Sequence, residues 1–426
     1  MARMRRKVVA GVVVLVLVAV GGMALAYTQL TEKPESGPDT ELTGVSVETA
    51  VDTGPITAPT TTEETEPSEP RERCWPFFGG DPQRQLSRPL INLGRPKRVL
   101  WSRGMGDLME YPPTFCDGEL YVALEHGGVL AINAKNGRKI WRRNTRGPHA
   151  SSPAVYGSLL IVSSHDGSVT AFKRENGAKV WKISVPGKVE SSPAVVDDTA
   201  YFGSTEGRLY AVNARTGAVR WAYNTGGRIN ASASIYGNRI CVSTYAGSVF
   251  CLDRRSGRKL WSTYVKRNAL SYESFYASPS TDGARLYTTA RTGKVVAFSA
   301  SSGRVLWTYQ MGPLAYATPA VANGRLYVGS FDGRLRALRA TNGDVIWDKA
   351  LGGGRILAPA LVVGKLVFVS SLDNNTWALR TSDGKVVWHR SEGGYAPGIA
   401  TDRHYYLSLR RLLVAYRGEH SPREVR

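Results

Sequence analysis

Four cysteines are the residues of this 426-residue chain best suited to covalent chemistry, and their positions favour disulfide bonds. Cys241 and Cys251 flank the turn at Gly247, at positions that are Tyr or Ile and Ala in equivalent stretches of the chain, so their thiols should face each other on adjacent strands. Cys74 and Cys116 are then left to pair, which would pin the segment before the first strand unit to that unit. Such pairs are typical of oxidising compartments. None of the four has the basic partner of a nucleophilic cysteine.

A second set of polar and aromatic residues stands three or four positions before the position, usually proline, at which the innermost strand of a repeated unit begins in the sequence, and it should line the mouth of a channel. Its members mix charges of both signs, which suits a small polar ligand or a water-filled funnel. They are Glu110, His149, Glu190, Asn230, Tyr276, Tyr316 and Arg355. The six histidines show no metal-ligand spacing, and the chain has no nucleophile motif in a suitable context. The sequence therefore predicts no catalytic, cofactor-binding or metal-binding residues.

One loop on the same face is longer than its equivalents. The stretch from Trp261 to Pro279 spans 18 residues, whereas the equivalent stretch spans 12 in five other units. The extra residues lie among Lys266, Arg267, Tyr272, Phe275 and Tyr276. Aromatic side chains beside basic groups would suit an acidic peptide or a glycan. The alternative is a long loop that packs on its neighbour.

A sequence repeat predicts the strands and turns that position these residues. Ala or Cys, then Gly six positions later and Trp four positions after that, recurs in seven complete copies. The copies are Ala131/Gly137/Trp141, Ala171/Gly177/Trp181, Ala211/Gly217/Trp221, Cys251/Gly257/Trp261, Ala297/Gly303/Trp307, Ala337/Gly343/Trp347 and Ala378/Gly384/Trp388. Four positions before each Ala or Cys stands a Gly, or Asn374 in the last copy, as a tight turn between two alternating strands requires.

The period of 40 residues, with one interval of 46 and one of 41, is typical of four-stranded propeller blades. An eighth unit reaches Ala415 without its tryptophan, whereas Trp101 precedes the first unit and belongs to none. We therefore predict an all-β, eight-bladed β-propeller whose last blade is completed by the strand around Trp101, which removes the open sheet edge. The repeat tryptophans should pack between blades: Trp101, Trp141, Trp181, Trp221, Trp261, Trp307, Trp347 and Trp388.

The N-terminal region predicts export. Residues 1–7 form a basic cytoplasmic tail, and residues 8–30 are apolar enough to span a bilayer as a transmembrane signal-anchor. Ala24-Leu25-Ala26 resembles a signal-peptidase site, so a cleaved signal peptide is the alternative. Residues 31–72, rich in Thr, Pro and Glu, predict a disordered stalk, residues 73–418 the propeller and residues 419–426 a disordered tail. Either N-terminal interpretation places the propeller outside the cytoplasm.

Charge is divided sharply along the chain. Residues 31–70 hold ten acidic residues and one lysine, whereas residues 71–426 carry 50 basic and 25 acidic residues, a net charge of about +25. Such a domain attracts anionic partners: lipid headgroups, acidic polymers or glycans, acidic proteins or its own acidic stalk. A basic surface without special function is the alternative. No module that combines aromatic and basic residues for nucleic acid is recognisable, so nucleic acid is not an expected partner.

The repeats resemble those of the pyrroloquinoline-quinone-like (PQQ-like) propeller family. The clearest matches run from Gly203-Ser204 to Trp221 and from Gly329-Ser330 to Trp347, and residues 75–82, Trp-Pro-Phe-Phe-Gly-Gly-Asp-Pro, are similar to the lead-in of such repeats. The resemblance covers about residues 74–416. It implies either a quinoprotein dehydrogenase, which holds PQQ and calcium at the ring's centre, or a non-catalytic scaffold of the BamB-like branch.

The dehydrogenases of this family carry an adjacent Cys-Cys disulfide, carboxylate and amide ligands for calcium and an Asp base, and no two cysteines here are neighbours. The BamB lipoprotein carries a lipid-bearing Cys, which is also absent. We therefore expect a membrane-tethered, monomeric, extracytoplasmic propeller without a cofactor. It would act as a binding or assembly scaffold at the cell envelope, with an envelope protein or an anionic glycan as partner. A PQQ-dependent dehydrogenase and an extracellular sensor or glycan-binding module are the alternatives.

Overall fold

The computed structural model describes residues 37–38, 44–49, 74–352, 354–395 and 397–421. Strands are the regular secondary structure of these residues, arranged as eight antiparallel four-stranded blades around one channel. The predicted all-β, eight-bladed propeller is therefore confirmed.

The strands that precede the first complete blade are β1 (Gly37–Pro38), β2 (Ser46–Thr49), β3 (Ser87–Arg88) and β4 (Pro96–Gly104). Blade 1 contains β5 (Thr114–Cys116), β6 (Glu119–Ala123), β7 (Gly128–Asn133) and β8 (Lys139–Asn144). Blade 2 contains β9 (Ala154–Tyr156), β10 (Leu159–Ser163), β11 (Ser168–Lys173) and β12 (Lys179–Ser184). Blade 3 contains β13 (Ala194–Val196), β14 (Thr199–Gly203), β15 (Arg208–Asn213) and β16 (Val219–Asn224). Blade 4 contains β17 (Ser234–Tyr236), β18 (Arg239–Ser243), β19 (Ser248–Asp253) and β20 (Lys259–Tyr264).

Blade 5 contains β21 (Ser280–Thr281), β22 (Arg285–Thr289), β23 (Lys294–Ser299) and β24 (Val305–Gln310). Blade 6 contains β25 (Ala320–Ala322), β26 (Arg325–Gly329), β27 (Arg334–Arg339) and β28 (Val345–Ala350). Blade 7 contains β29 (Leu361–Val363), β30 (Leu366–Ser371), β31 (Asn375–Arg380) and β32 (Val386–Arg390). Blade 8 contains β33 (Ile399–Ala400), β34 (His404–Leu409), β35 (Leu412–Gly418) and, as its outermost strand, β4.

The ring closes by joining the two ends of the propeller. Strand β4 pairs antiparallel with β35, with Trp101 opposite Ala415. This is the pairing that the unassigned Trp101 predicts. Because the last blade takes one strand from the start of the domain and three from its end, unfolding either end exposes an edge of the ring.

The repeated tryptophan joins neighbouring blades. The indole N–H of Trp181, for example, donates to the Ala214 carbonyl of the next blade at 3.0 Å. Gly217 has a φ of +76° and lies so close to the Trp181 ring that a Cβ there would approach it to 2.8 Å. The glycine of the motif thus has a physical reason, because a side chain at this position would collide with the tryptophan of the preceding blade. The same indole-to-carbonyl bond is made by Trp101, Trp141, Trp221, Trp261, Trp307 and Trp347.

A lead-in segment, residues 74–92, closes one end of the central channel. It hydrogen-bonds through its backbone to the inner strands of six blades, in succession around the ring. The bonded pairs are Trp75 with Phe115, Pro76 with Val155, Pro82 with Ile235, Gln83 with Thr281, Gln85 with Val321 and Leu86 with Val362. Strand β3 extends this contact by pairing parallel with β29. The lead-in segment therefore fills the central channel from the end opposite the loops that lead into the inner strands.

Both predicted disulfides are confirmed. Cys241 and Cys251 lie directly opposite each other on β18 and β19 with a Cα separation of 4.1 Å, and Cys74 is bonded to Cys116 with a Cα separation of 4.3 Å. The first bond staples one hairpin. The second fixes the start of the lead-in segment to blade 1.

Two short parts of the predicted stalk are strands on the outside of the ring. Strand β1 pairs with β16 and strand β2 with β12, so each adds a fifth strand to the outer edge of a blade. An unstructured stalk is therefore the wrong description for Ser46–Thr49, which finds backbone partners and a basic neighbour on blade 2.

The predicted transmembrane segment, residues 8–30, lies outside the described residues, as do residues 422–426 of the predicted tail. Among the residues that are described, no helix is long and apolar enough to cross a membrane.

Candidate functional site

The candidate site is the mouth of the channel at the end opposite the lead-in segment. Of the residues that the sequence assigns to this mouth, five are connected by contacts. Glu190 accepts a hydrogen bond from the Asn230 side-chain amide, and Tyr276 stands edge-on to Tyr316 with ring centroids 5.5 Å apart. Glu110 is electrostatically coupled to Glu190. Equivalent repeat positions thus converge around the channel axis.

A second set of mouth residues was missed by sequence reasoning. It occupies the position two residues before each turn glycine, and each member donates its backbone N–H at 2.8–3.0 Å to a carbonyl of the loop that leads into an inner strand. The signal was present in the repeat, because a fixed offset from the turn glycine identifies the whole set. Its members, with their acceptors, are Glu125 to Leu108, His165 to Pro148, Thr205 to Lys188, Tyr245 to Arg228, Arg291 to Ser274 and Phe331 to Leu314.

One half of the mouth, formed by blades 1 to 3, is acidic. Burial raises the pKa of Glu110 to about 7, and the negative charges of Glu125 and Glu190 add to that rise. One carboxylate oxygen of Glu125 and the amide oxygen of Asn230 are buried without a hydrogen-bond partner among the described residues. Burial also lowers the pKa of His165, which faces Glu190 and Glu125. In a domain of net positive charge, this half of the mouth gathers carboxylates at partial burial.

The other half of the mouth is aromatic and basic. Tyr276 contacts Tyr245 at 6.0 Å between centroids, and Tyr316 contacts Phe331 at 5.3 Å. The guanidinium of Arg291 lies 5.9 Å from the Tyr245 ring, and that of Arg355 lies 5.8 Å from Phe331. These cation–π contacts hold the arginines against the wall of the mouth. The mouth therefore presents opposite charges from opposite sides.

His149 does not line the mouth as an available group. It is only 2% exposed, and its ring nitrogens lie 2.7 Å from the Ser163 carbonyl and 2.6 Å from the Thr145 hydroxyl. Because the imidazole is buried, its pKa is lowered. The residue braces the loop between blades 1 and 2.

The long loop after Trp261 divides between the surface and the core. Lys266 and Arg267 are exposed, and Tyr272 is 41% exposed and packs 5.4 Å from Tyr264. Phe275, in contrast, is fully buried and packs in the core of blades 4 and 5, so its inclusion among the exposed aromatic residues was wrong. The physical reason is alternation, since neighbouring Tyr276 turns into the mouth and directs Phe275 the other way. The loop thus both packs on its neighbour and exposes a basic tip.

Three potential metal-ligating groups, from Asp107, Glu125 and His126, lie within 4.8 Å of one another. Asp107 is already engaged, because its carboxylate accepts from the Leu108 N–H at 2.8 Å, from the His126 N–H at 2.9 Å and pairs with the His126 ring at 2.7 Å. The arrangement is that of a capped loop with an ion pair.

The deep end of the channel holds a buried arginine. Arg84 of the lead-in segment is 0% exposed and donates to the carbonyls of Phe78, Ser192 at 3.1 Å and Ala233 at 2.9 Å. Burial lowers the pKa of Arg84 to about 9 and raises that of nearby Asp81 to about 6. The guanidinium thus bonds the lead-in segment to the ends of the loops that lead into the inner strands of blades 3 and 4.

Comparisons with known proteins agree on the architecture. Residues 93–309, 247–391 and 291–419 match the family described as outer membrane protein assembly factor BamB. A search of curated proteins by sequence gives no match.

Several solved propellers are similar in structure. BamB from Moraxella catarrhalis is 15% identical with a TM-score of 0.63, over 77% of this chain and 99% of that one. A europium-containing methanol dehydrogenase is 14% identical with a TM-score of 0.67, over 82% of this chain and 90% of that one. The quinohemoprotein alcohol dehydrogenase of Comamonas testosteroni is 14% identical with a TM-score of 0.67, over 83% and 82%. At such identities the likeness shows the fold alone.

Proposed function

The chain belongs to the family described as outer membrane protein assembly factor BamB, and from this premise we propose that it is a non-catalytic binding scaffold of the cell envelope. In this proposal the propeller lies outside the cytoplasm and is tethered to the membrane by the N-terminal segment. The partner is an envelope protein or an anionic glycan. The PQQ-dependent dehydrogenase is the competing function, because structurally similar propellers include dehydrogenases.

The observation that carries the proposal is the filling of the deep end of the hub by the chain itself. The lead-in segment bonds to the inner strands of six blades, and the buried Arg84 takes up carbonyls of blades 3 and 4. In the quinoproteins of the PQQ-like family the ring's centre is the place of the cofactor. Here that depth is occupied by a well-bonded polypeptide.

The mouth above it does not favour PQQ in the absence of a cation. PQQ is a planar quinone with several carboxylates, and blades 1 to 3 present Glu110, Glu125 and Glu190 to anything that enters. These groups already repel one another enough to contribute to the raised pKa of Glu110. Glu190 and Asn230 are a carboxylate and an amide, the ligand types that hold calcium in the dehydrogenases, so the titration below includes Ca²⁺. Although Arg291 and Arg355 could attract an anion on the opposite side, they lie against aromatic rings at the rim. The cysteines support the same conclusion, since both pairs are engaged in disulfides between strands or segments and none joins neighbouring residues.

Both disulfides also support a place outside the cytoplasm, because cytosolic reductants keep such cysteine pairs reduced. The strong positive charge of residues 71–426 favours contact with the anionic molecules of an envelope.

A crosslinking experiment tests the scaffold. A photoreactive amino acid replaces Tyr316 at the mouth, and a matched variant carries it at Lys259 on the outside of blade 4. We expect mass spectrometry of irradiated membranes to identify one recurrent envelope protein or glycan from position 316 that is absent from position 259. The same background from both positions would contradict a partner at the mouth.

A titration tests the competing function. The full chain is incubated with PQQ and Ca²⁺ and separated from free cofactor by gel filtration. We expect no stoichiometric chromophore to remain with the protein. Retained PQQ together with alcohol-dependent dye reduction would instead establish the dehydrogenase.

A further inference from the structure

The outer edge of blade 2 already holds a guest strand. Strand β2 pairs antiparallel with β12, so that Glu48 lies opposite Lys182 and Val47 opposite Ile183. The Glu48 carboxylate reaches back to the Lys179 ammonium group at 3.2 Å. The outer strand of a blade can therefore bind an extended acidic segment, through main-chain hydrogen bonds and one ion pair.

Glu48 sits in a groove between the outer strands of blades 1 and 2, with a volume of about 480 Å³. A second groove, of about 470 Å³, lies one blade earlier, between the outer strands of blades 8 and 1. The two are equivalent, because every residue that lines the second groove stands 40 positions before a residue of the first. The lining of the second groove is Arg103, Gly104, Met105, Gly106, Leu130, Ile132, Gly137, Arg138, Lys139 and Arg142. Among the described residues no fifth strand covers this edge of blade 1.

The groove of blade 1 has the same basic character as the occupied one. Lys139 and Arg142 take the places of Lys179 and Lys182, and four basic residues line each groove, because Arg138 stands where blade 2 has Ala178 and Gly106 stands where blade 2 has Arg146. The floor is more apolar, since Leu130 and Ile132 replace Thr170 and Phe172.

The exposure of β8 reflects the missing cover. Apart from Trp141, its residues are exposed, and Ile140 is 41% exposed, whereas its equivalent on blade 2, Val180, is half-buried. An uncovered edge strand with an exposed aliphatic side chain is a template for another strand.

Two positions of each outer strand correspond to Lys179 and Lys182, the residues that Glu48 contacts on blade 2. They lie two positions before and one position after the repeat tryptophan, and only blades 1 and 2 have a basic residue at both. In order from blade 1 the residue pairs are Lys139/Arg142, Lys179/Lys182, Val219/Ala222, Lys259/Ser262, Val305/Thr308, Val345/Asp348, Val386/His389 and, on the strand of blade 8, Val99/Ser102. Blade 1 thus shares the charge pattern of the one blade whose guest strand forms an ion pair with these positions.

We propose that the outer edge of blade 1 is a docking site for an extended acidic peptide segment of a partner protein. The guest adds as a fifth strand antiparallel to β8, with an acidic residue opposite Arg142 that reaches Lys139 as Glu48 reaches Lys179. In the same register, the guest residue two positions after the acidic one lies opposite Ile140, and an apolar side chain there would cover it. This inference rests on the proposed scaffold function and names a class of partner for it.

The first test uses a fluorescent peptide with the sequence of residues 41–52 of this chain, which contains Glu41, Glu48 and Asp52. The full 426-residue chain is titrated and fluorescence anisotropy is measured. The chain's own β2 is tethered and competes for blade 2 at high effective concentration, so blade 1 is the uncovered edge with the matching pair of basic residues that the free peptide can reach. We expect saturable binding that weakens as salt is raised from 50 to 500 mM, as screening requires.

Charge reversal locates the site. The double variant Lys139→Glu with Arg142→Glu should lower affinity at least tenfold, and the matched variant Lys259→Glu with Ser262→Glu on blade 4 should change it less than twofold. The melting temperature of each variant checks folding. Equal loss in both variants, or no loss in the blade 1 variant, would overturn the proposal.

Backbone pairing is tested with two peptides that carry N-methyl groups at alternate residues. Only every second N–H of a guest strand faces its host, so one peptide should lose binding and the other should keep it. Equal binding of both peptides would show that charge attraction acts without strand addition, and it would contradict the proposed docking geometry.

A second copy of this chain is the remaining occupant. Light scattering that shows a dimer, abolished by Glu48→Lys, would assign the edge to self-association and overturn a separate partner. If the mouth crosslinks a recurrent partner while the peptide fails to bind blade 1, the scaffold function stands and this inference alone is wrong.

Discussion

The two ends of the central channel are built by different means. The deep end is closed by backbone hydrogen bonds from one continuous segment to six inner strands, and it is sealed by the buried Arg84. The mouth is built from side chains at two equivalent positions of each repeat, which differ in charge and shape from blade to blade. The deep end therefore holds the ring together, whereas the mouth is the place where we propose that a partner binds. If this contrast is right, substitutions of the same kind should be costly at one end and mild at the other.

The largest expected effect is the loss of the Cys74–Cys116 bond. Replacing both residues with Ala should lower the free energy of unfolding by about 4 kcal/mol, because the bond closes a 42-residue interval of the unfolded chain. The Cys241–Cys251 pair closes only a 10-residue interval, so its replacement should cost about 3 kcal/mol. Chemical denaturation under non-reducing conditions measures both. An equal or reversed order would show that pinning the lead-in segment is unimportant for stability.

Arg84→Met tests the seal directly. The methionine fills the volume but leaves the carbonyls of Phe78, Ser192 and Ala233 without their side-chain donor, which should cost about 3 kcal/mol. Arg291→Met at the mouth removes a cation–π contact and should cost less than about 1 kcal/mol. Denaturant midpoints of the two variants provide the comparison. Similar costs would remove the distinction between the two ends.

Glu110 makes the mouth sensitive to pH. Its folded pKa of about 7 lies above the ordinary value of 4.5, so the folded state holds the proton more tightly than the unfolded state does. Stability should therefore fall as pH rises from about 4.5 to 7, by less than the roughly 3 kcal/mol of the full shift, because the side chain is partly exposed to solvent. Glu110→Gln should reduce that slope without removing it, because Asp81, with a pKa of about 6, titrates in the same range. Melting temperatures between pH 4.5 and pH 8 would reveal the difference. A slope that persists unchanged in the variant would assign the titration to another group.

The smallest effect concerns Asn230, whose side-chain oxygen is buried and unpaired while its amide donates to Glu190. Asn230→Asp should place a second carboxylate against Glu190, and the repulsion between them should cost about 1 kcal/mol at pH 7, with recovery at pH 5. Asn230→Ser keeps a donor and is the matched control. Thermal denaturation at the two pH values distinguishes them, and a loss independent of pH would point to packing.

Much of the mouth can be predicted by counting residues from fixed positions of the repeat. Glu110, Glu190, Asn230, Tyr276 and Tyr316 converge because each stands at one offset from the start of an inner strand. The partner set, such as Glu125 and Tyr245, stands at an equally regular offset from the turn glycine.

The sequence-based predictions failed at two residues whose side-chain direction decides whether they line the mouth or lie exposed. His149 turned inward to two hydrogen bonds, and Phe275 turned into the core, because a one-residue change of phase in a loop reverses the direction of a side chain. The loop of His149 has the common length, but His149 stands four positions before its proline, whereas mouth residues such as Glu110 and Glu190 stand three positions before theirs.

The sequence by itself determined the blades, their number, their closure through Trp101 and the Cys241–Cys251 disulfide, because each depends on short spacings that repeat every 40 residues. The Cys74–Cys116 disulfide followed because these two cysteines were the ones left to pair. Only the tertiary structure decided the route of residues 74–92 across the hub and the seating of Ser46–Thr49 on blade 2. Neither segment carries a repeat of its own. Their positions are set by unpaired backbone groups and charges of distant blades, which come together only after the ring has formed.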